Sequence, residues 1–449
     1  MASGNNMQER KKSTVAVVKC ISYNRGEVEE AVAKAIELLG GFEVIFRAGD
    51  APGEITARSK LVLKPNLLGR AAPDKAVTTH PEVFRAVGKA LQTAGYNNLT
   101  YGDSPGNPMH SVERTAEGCG IKEVAEELGI PPGDFEKGRR VDFPEGRAAK
   151  NFILCNEIAD IVERGEGGVI NICKMKTHQL ERITGAVKNS YGCIQGINKA
   201  AFHAVFETPE HFARMLADLN RLVRPRLHIM DGIVAMEGNG PGSGDPKHMD
   251  VILASTDPVA LDTVFCHLIH LDAEYVPTNK AAADAGLGFA SDENIRVVLG
   301  NMPMRKDGDT IHLDDMANRY GDENFNVQRA GGYRGKFRIM RLVGKFVRKK
   351  PIVLENKCVG CGVCEEACPV EGKAIKLKPI ITKIMGESSK GAGAARGLMQ
   401  TEGVPVNRVA MYNYRKCIRC YCCQEVCPRK AISVKKSLLA KIIDRRWKM

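Results

Sequence analysis

Nine of the fifteen cysteines lie between Cys358 and Cys427, and eight of them follow one pattern twice. Each copy reads Cys-x2-Cys-x2-Cys-x3-Cys-Pro, beginning at Cys358 and at Cys417. Two intervening residues let a tight loop aim three sulfurs at one cuboidal cluster, while the fourth sulfur points to the other cluster. The pattern therefore predicts two [4Fe–4S] clusters. The predicted ligands of cluster A are Cys358, Cys361, Cys364 and Cys427, and those of cluster B are Cys417, Cys420, Cys423 and Cys368.

Zinc is the alternative metal for this segment, because structural zinc sites also use paired Cys-x2-Cys units. Those sites do not require the third cysteine or the closing Cys-Pro, and both features occur twice here. Cys422 lies outside the pattern. We interpret it as a packed neighbour of cluster B, with a spare ligand or a redox thiol as the alternatives.

The remaining cysteines and the beginning of the chain indicate the compartment. Six cysteines are scattered before residue 330, and we interpret them as small buried apolar residues. Residues 1–13 are polar and lack the apolar stretch of a secretory signal. Cysteine-rich chains in a reducing compartment use thiols for metal or redox chemistry rather than disulfides. We therefore expect a cytoplasmic protein.

Charge divides the chain near residue 330. Residues 329–449 carry 28 Lys and Arg against 8 Asp and Glu, a net charge of +20, which leaves −8 for the rest of a chain whose total is +12. The predicted organisation has five parts. These are a disordered tail over 1–12, an α/β domain over 13–328, a basic linker or helix over 329–350, a two-cluster domain over 351–436 with an insert near 379–414, and a basic helix over 437–449.

Two basic segments flank the cysteine-rich part, at 336–350 and 437–449. Each places apolar residues on one helical face, so each is expected to pack on the acidic large domain, with peripheral contact to an anionic membrane as the alternative. No nucleic-acid motif is visible, and we expect no nucleic-acid partner.

The large domain alternates apolar strands with amphipathic helices, which predicts α/β architecture with a mostly parallel sheet flanked by helices. The small domain is predicted to be α+β and ferredoxin-like. Polar clusters follow five predicted strands of the large domain, and the ligand crevice of an open parallel sheet lies beyond the carboxyl ends of its strands. These clusters begin at Lys64, Gly102, Lys174, Asp231 and Asp257. We expect them to converge on one site.

Lysines that directly follow apolar strands are costly to bury without an anionic partner. The sequence therefore predicts a site for a carboxylate or phosphate. Its predicted binding residues are Lys64, Asn66, Lys174, Thr177 and Lys188, and its predicted catalytic residues are Lys176, His178 and Asp103. His178 is the expected proton carrier because histidine titrates near neutrality. For any one of the aspartates, ordinary turn formation is an equal alternative. The glycine-dense loop at 236–244 is either a backbone approach to a ligand, a lid or a tight turn.

Six segments resemble the signature blocks of the domain-of-unknown-function 362 family, over roughly residues 13–300. They are Lys-Pro-Asn-Leu at 64–67, Thr-Thr-His-Pro at 78–81, Gly-Asp-Ser-Pro-Gly at 102–106, Lys-Met-Lys-Thr-His at 174–178, Thr-Gly-Ala-Val-Lys-Asn at 184–189 and Gly-Asn-Gly-Pro at 238–241. Residues 357–434 are similar to bacterial two-cluster ferredoxins, a module to which that family is often fused. The resemblance implies this architecture and no particular reaction.

Three functions agree with these patterns. The first is an iron–sulfur oxidoreductase that exchanges electrons between a redox partner protein and an anionic small molecule. The second is a ferredoxin-like carrier whose large domain is a docking or sensing module. The third is metal or cofactor assembly, with a divalent ion on the strand-end aspartates. Whether a flavin also binds, and the oligomeric state, are left open by the sequence.

Overall fold

The structure is a computed structural model that describes residues 12–47, 53–106, 111–303, 305–329, 349–379 and 408–435. We call residues 12–329 the sheet module, and residues 349–379 with 408–435 the cysteine module. The strands are β1 (Ser13–Lys19), β2 (Leu61–Pro65), β3 (Leu99–Tyr101), β4 (Gly138–Asp142), β5 (Asn151–Cys155), β6 (Gly168–His178), β7 (Arg182–Thr184), β8 (Leu227–Glu237), β9 (Asp245–Ser255), β10 (Ile295–Gly300), β11 (Thr310–Ile311), β12 (Lys350–Val353), β13 (Ile375–Pro379), β14 (Arg408–Tyr412) and β15 (Ile432–Lys435).

Helices connect most of these strands. They are α1 (Arg25–Leu38), α2 (Gly41–Arg47), α3 (Pro81–Thr93), α4 (Val112–Gly118), α5 (Ile121–Glu127), α6 (Asn156–Arg164), α7 (Ala186–Asn189), α8 (Gly196–Val205), α9 (Pro209–Val223), α10 (Pro258–Leu268), α11 (Pro277–Asp284), α12 (Leu313–Tyr320), α13 (Val363–Glu366) and α14 (Cys422–Glu425). Short 3₁₀ turns lie at Pro73–Lys75, Ser190–Cys193, Ala273–Tyr275, Asp292–Asn294 and Glu355–Lys357. Among the described residues, no helix combines the length and the apolar character needed to cross a bilayer.

The sheet module is built on a nine-stranded sheet with the order β11-β10-β1-β9-β8-β6-β2-β3, to which β7 is added beside β6. Strands β1, β2, β3, β6, β8 and β10 run in one direction, and β7, β9 and β11 run against them. One face of the sheet packs in a core with α1, α3 and α9, and the other packs in a core with α10 and α12. The expected α/β architecture with a mostly parallel, helix-flanked sheet is confirmed.

One of the five polar clusters expected in the site lies at the opposite edge of the sheet from the other four. Strand β9 is antiparallel to both β1 and β8, so its carboxyl end lies beside the amino end of β1. Asp257 there accepts a hydrogen bond from Ser13 Oγ (2.6 Å) and caps α10 through the amides of Val259 and Ala260. The expectation that Asp257 joins the site was wrong, because an antiparallel strand delivers its end to the opposite edge.

The cysteine module consists of two antiparallel strand pairs, β12 with β15 and β13 with β14. Each cysteine-rich loop leads into a short helix, α13 in the first half and α14 in the second. A small core of cysteines and aliphatic side chains fills the space between the strand pairs. This arrangement agrees with the α+β ferredoxin-like domain expected from the sequence.

Several expected segments lie outside the described residues. They are most of the N-terminal tail, most of the basic linker or helix over 329–350, the greater part of the insert near 379–414, and the basic C-terminal helix over 437–449. The domain boundaries drawn from charge and composition therefore stay predictions.

Candidate functional site

Buried ion pairs fix two of the strand-end lysines. Lys64 is 1% exposed, and its ammonium lies 3.0 Å from Asp103 Oδ1. Asp103 also accepts hydrogen bonds from the backbone amides of Leu67 (2.7 Å) and Ser104 (2.9 Å). Gly192 covers this pair so closely that a Cβ atom would collide with the Asp103 carboxylate. A buried charge needs such a partner, because burial without one is strongly unfavourable.

Lys174 is held in a second pair and lies away from the cavity described below. Its ammonium donates to Asp231 Oδ2 (2.7 Å) and to the Tyr23 hydroxyl (2.8 Å), and the Lys174 and Asp231 side chains are fully buried. Tyr23 in turn donates to Asp231 Oδ1 (2.8 Å) and stacks on His80 with ring centroids 3.5 Å apart. The structure therefore places Lys174 in a closed network between β6, β8 and the start of α3.

Lys176 differs from the other two lysines because its described hydrogen-bond partners are neutral. Its ammonium donates to Asn66 Oδ1 (2.7 Å) and to the Val77 carbonyl (2.6 Å). Burial, together with the nearby charges of Lys188 and Lys174, lowers the pKa of Lys176 from 10.5 to about 7. Lys176 can therefore gain or lose a proton near neutral pH.

Lys188 is half-buried and has no ion-pair or hydrogen-bond partner among the described residues; its ammonium lies 5.9 Å from the centroid of the Tyr191 ring. Asn189, the next residue, links the anion-site segments by donating to Asn171 and accepting from Asn66 Nδ2 (2.9 Å). Lys188 thus presents to the site an ammonium group that has no described ion-pair or hydrogen-bond partner.

Helix α8 supplies two site residues that the sequence reasoning missed. The ammonium of Lys199 donates to the Ser104 carbonyl, and burial lowers the pKa of Lys199 to about 8. His203 stacks on Phe212 with ring centroids 4.3 Å apart, its Nδ1 has no partner among the described residues, and burial lowers its pKa to about 3. Lys199 and His203 are four residues apart, so they share one helix face. This four-residue spacing is the sequence feature that could have identified Lys199 and His203 as site residues.

The glycine-dense loop at 236–244 holds the cysteine module. Gln424 Nε2 donates to the Asn239 carbonyl (2.8 Å), and Lys430 reaches the Gly244 carbonyl (3.4 Å). Thr177, predicted to bind an anion, instead bonds this loop through the Gly238 carbonyl and the Gly240 amide (both 3.2 Å). This role was not among the alternatives expected for the loop, which the described structure uses to bind the cysteine module.

His178 lies at the same junction. Its Nδ1 accepts hydrogen bonds from the amides of Leu180 (3.2 Å) and Glu181 (3.0 Å), so the proton of the neutral ring is on Nε2, which donates to Glu425 Oε1 (3.0 Å). Burial lowers the pKa of His178 to about 4, and the hydrogen bond from His178 helps to lower the pKa of Glu425 to about 2. A neutral histidine and a carboxylate therefore join the two modules.

A cavity of about 310 Å³ lies between the modules at the carboxyl ends of the parallel strands. The sheet module contributes most of the polar, charged and aromatic lining, including Asn66, Asp103, Lys176, Lys188, Tyr191, Lys199 and His203. The cysteine module contributes Glu366, Ala367, Cys422, Glu425 and Val426. Small-molecule sites commonly occupy clefts of this size between domains. Four of the predicted site residues line the cavity, whereas Lys64, Lys174, Thr177 and His178 are held behind its wall or beside it.

The two cysteine loops share one backbone conformation. Gly360 and Arg419, each two residues after the first cysteine, have φ values of 65° and 63°, and Gly362 and Tyr421 have φ values of 83° and 64°. Non-glycine residues adopt this left-handed region rarely, so its recurrence at equivalent positions reflects a shared requirement of the loops. Backbone amides also donate to the last sulfur of each run, from Ala374 to Cys368 Sγ (3.3 Å) and from Ala431 to Cys427 Sγ (3.2 Å).

The described structure brings sulfurs from both cysteine runs close together. One pocket is lined by Cys358, Cys361, Cys364 and Cys427. Burial, together with the nearby Cys420 and Cys368, raises the pKa of Cys417, and burial, together with Cys420, Cys417 and Cys364, raises that of Cys423. The amide donors and the four-thiol pocket fit a [4Fe–4S] cluster, whose sulfurs typically accept backbone hydrogen bonds. Cys422 lines the cavity, and a hydrogen bond from its thiol lowers the pKa of Cys420.

Comparison with known proteins identifies the sheet module. The model of the family described as Domain of unknown function (DUF362) matches residues 61–267. A relative, Thylakoid-associated protein sll1697 of Synechocystis, is 33% identical over 275 residues, which cover 61% of this chain and 80% of that protein. The chain belongs to the DUF362 family. All six blocks that resemble the family signature lie within the matched residues 61–267 of this DUF362 chain.

The cysteine module of this DUF362 protein matches a second model, described as 4Fe-4S dicluster domain, over residues 350–428. One subunit of the ferredoxin:CoB-CoM heterodisulfide reductase of Methanosarcina mazei is 34% identical over 95 residues, or 20% of this chain and 10% of that protein. One subunit of the H(2):CoB-CoM heterodisulfide,ferredoxin reductase of Methanothermobacter thermautotrophicus is 27% identical over 106 residues, or 24% and 14%. The cysteine module is thus an iron–sulfur ferredoxin-type domain with a role in electron transfer.

Proposed function

We propose that this DUF362 protein is an iron–sulfur oxidoreductase that exchanges electrons with an anionic small molecule bound in the interface cavity. The observation that carries the proposal is that residues of both modules line that cavity. Ala367 and Cys422, each adjacent in sequence to a predicted ligand of cluster B, line the same space as Lys176, Lys188 and Lys199. A ligand held by the lysines would therefore lie beside the redox module.

Two [4Fe–4S] clusters are proposed on the eight cysteines of the repeated pattern. Cluster A would be held by Cys358, Cys361, Cys364 and Cys427, and cluster B by Cys417, Cys420, Cys423 and Cys368. Bound there, they supply one-electron transfer. No flavin motif is visible in the sequence.

The cationic side of the cavity would bind and orient the small molecule. Lys188, which has no described partner, would pair with its carboxylate or phosphate, and Lys199 would add a second positive charge. Lys176, whose pKa is lowered to about 7, is the proposed proton carrier. His178 and Asp103, which the sequence also suggested, are both engaged in structural hydrogen bonds, so we propose them as positioning residues.

The test is the retention of an acidic metabolite. Wild type, Lys188→Gln and the control Lys306→Gln would be purified without oxygen, passed through a polar cell extract and a desalting column, and denatured for mass spectrometry. Lys306 is exposed and distant in sequence from the site. We expect an acidic compound in wild type and in Lys306→Gln, and its loss from Lys188→Gln. Equal retention of the same compound by all three proteins would contradict the proposal.

A carrier protein without its own substrate is the second candidate, and one observation favours it. His178 joins the modules directly and has no ring nitrogen left for a substrate. A carrier would transfer electrons at the wild-type rate when Lys188 is changed, whereas the oxidoreductase would lose turnover.

Metal assembly gains no support, because Asp103 and Asp231 each bind a buried lysine with oxygens that a divalent ion would need. The basic segments proposed for membrane contact lie largely outside the described residues.

A further inference from the structure

We propose that an acidic one-electron carrier protein docks on the face of the cysteine module around Cys358 and Cys361, through Lys357, Arg408 and Arg429. The inference rests on the electron-transfer part of the proposed function and does not require the cavity to bind a substrate. The pocket beneath this face shares no lining residue with the interface cavity. The module would then have one redox contact on each side.

The two cysteine loops of the module differ in their exposure to solvent. In the first loop, Cys361 is exposed, and Val359 is 59% exposed although it is apolar. In the second loop, the equivalent residues Ile418 and Cys420 are only partly exposed, and α14 is packed against the sheet module. Direct electron exchange with another protein needs a short path through surface atoms. The first loop offers that path, and the second is turned toward the cavity.

Three basic side chains surround the exposed loop. Lys357 precedes Cys358, and Arg429 lines the pocket formed by the four thiols of cluster A. Arg408, the first residue of β14, pairs with Pro379, and its backbone lies against Gly360. Alternation along the strand puts Arg408 on the same face as Ala410, which also lines that pocket. All three are exposed and form no ion pair with a described carboxylate.

The net positive charge of the cysteine module indicates an acidic partner. The described residues of the module contain thirteen Lys and Arg against five Glu. Among those five, Glu365 accepts a hydrogen bond from the Leu377 amide (2.8 Å), and Glu355 is exposed. A basic ring around a small apolar contact is complementary to an acidic protein with an exposed redox centre. Encounters of this kind bury little surface and are steered by charge, so they weaken as salt rises.

The probe is a reduced acidic [2Fe–2S] ferredoxin of the plant type, mixed anaerobically with the oxidised holoprotein in a stopped-flow spectrometer. One electron leaves the carrier and one is gained by the cysteine module, with no proton or group transferred. We expect a second-order rate constant that falls steeply with ionic strength. In Arg408→Glu/Arg429→Glu, the rate constant at low salt should fall by at least about tenfold, with most of its salt dependence lost.

The control is Lys376→Glu/Lys378→Glu, which makes the same charge change on the opposite face of the same strand pair, β13 with β14. It should alter the rate constant by less than about threefold, within what a uniform change of net charge produces. Reduction by dithionite and the electron paramagnetic resonance signals should be unchanged in both variants, showing that the clusters are intact.

Three outcomes would overturn the proposal. They are a rate constant that does not depend on salt, an equal loss in both double variants, and vesicles containing phosphatidylserine that bind this face in preference to the carrier. Failure of the substrate proposal looks different: carrier reduction would remain fast and localised to this face while no acidic metabolite is retained in the cavity.

Discussion

Cys422 is the one cysteine of the module that the repeated pattern does not use, and its position gives it a physical role. Its thiol is within hydrogen-bonding reach of the Cys420 sulfur, and it lines the interface cavity. Hydrogen bonds to a ligand sulfur stabilise the more negative, reduced form of a cluster and so raise its potential. Cys422 therefore lies where it would contact both a molecule bound in the cavity and a predicted ligand of cluster B.

Replacing Cys422 by Ala should lower the midpoint potential of the cluster held by the second loop. A hydrogen bond worth about 1 kcal/mol corresponds to roughly 40 mV in a one-electron couple, for which 59 mV is tenfold. Cys422→Ser, which keeps a donor, should shift the potential much less. The measurement is a redox titration followed by electron paramagnetic resonance, and equal potentials in wild type and both variants would show that the hydrogen bond is absent.

Gly192 tests whether the buried pair of Lys64 and Asp103 holds the site together. A methyl group at Gly192 would collide with the Asp103 carboxylate and displace it from the ammonium. Breaking a buried pair costs about 3–5 kcal/mol, so we expect Gly192→Ala to lower the thermal midpoint by several degrees. The control is Gly26→Ala, where only Asn24 Oδ1 lies within contact distance (3.6 Å). A Gly192→Ala protein as stable as that control would contradict this role.

At the scale of elements, the loop at 236–244 and helix α14 form the main described junction between the modules. The loop presents the backbone carbonyls of Asn239 and Gly244 to Gln424 and Lys430, and the Asn239 side chain donates to the Ile432 carbonyl (3.4 Å). The density of glycine in the loop has a steric reason, since a Cβ atom at Gly240 would collide with the Thr177 backbone and one at Gly244 with the Glu237 carbonyl. A chain segment that must lie this close to its neighbours requires glycine.

Gln424→Ala should loosen this junction without unfolding either module. The change removes a buried hydrogen bond worth about 1 kcal/mol and leaves the Asn239 carbonyl without its donor, so hydrogen exchange of residues 238–244 should accelerate several-fold. The control is Gln92→Ala, which removes a similar donor to a backbone carbonyl, that of Leu128 (2.8 Å), within the sheet module. It should leave exchange in the loop unchanged. Identical exchange in the loop for both variants would contradict the docking role of Gln424.

At the scale of the whole molecule, buried lysines make stability depend on pH. Lys176 has a folded-state pKa of about 7, well below its ordinary value of 10.5. Between these values the unfolded chain keeps the proton that the folded protein has lost, so the contribution of Lys176 to stability increases as the pH rises. Well below pH 7 both states are protonated and the contribution is constant.

We therefore expect wild type to gain roughly 2–3 kcal/mol of unfolding free energy relative to Lys176→Met between pH 7 and pH 9, at 1.36 kcal/mol per pH unit. The measurement is the difference in the free energy of unfolding between the two proteins at several pH values under anaerobic conditions. Lys306→Met is the control and should parallel wild type. A difference between wild type and Lys176→Met that stays constant across this range would show that Lys176 remains charged in the folded protein.

The sequence alone determined what depends on local spacing. The repeated cysteine run specified the loops, because two residues between thiols impose the same backbone turn twice, as the matching φ values at Gly360 and Arg419 show. Alternating strands and helices specified the α/β architecture, and the apolar strands followed by polar blocks indicated one edge of the sheet. Local patterns suffice for these features because each is set within a few consecutive residues.

Only the tertiary structure decided which polar side chains face the cavity. Lys174 is neutralised by Asp231, 57 residues away, and His178 is bound by Glu425, 247 residues away, so neither partner can be read from the neighbourhood in sequence. The direction of β9 moved Asp257 to the far edge, and helix α8 brought in Lys199 and His203. The physical reason is that a buried charge takes its partner from whatever the packing places beside it, which non-local strand order and module docking determine.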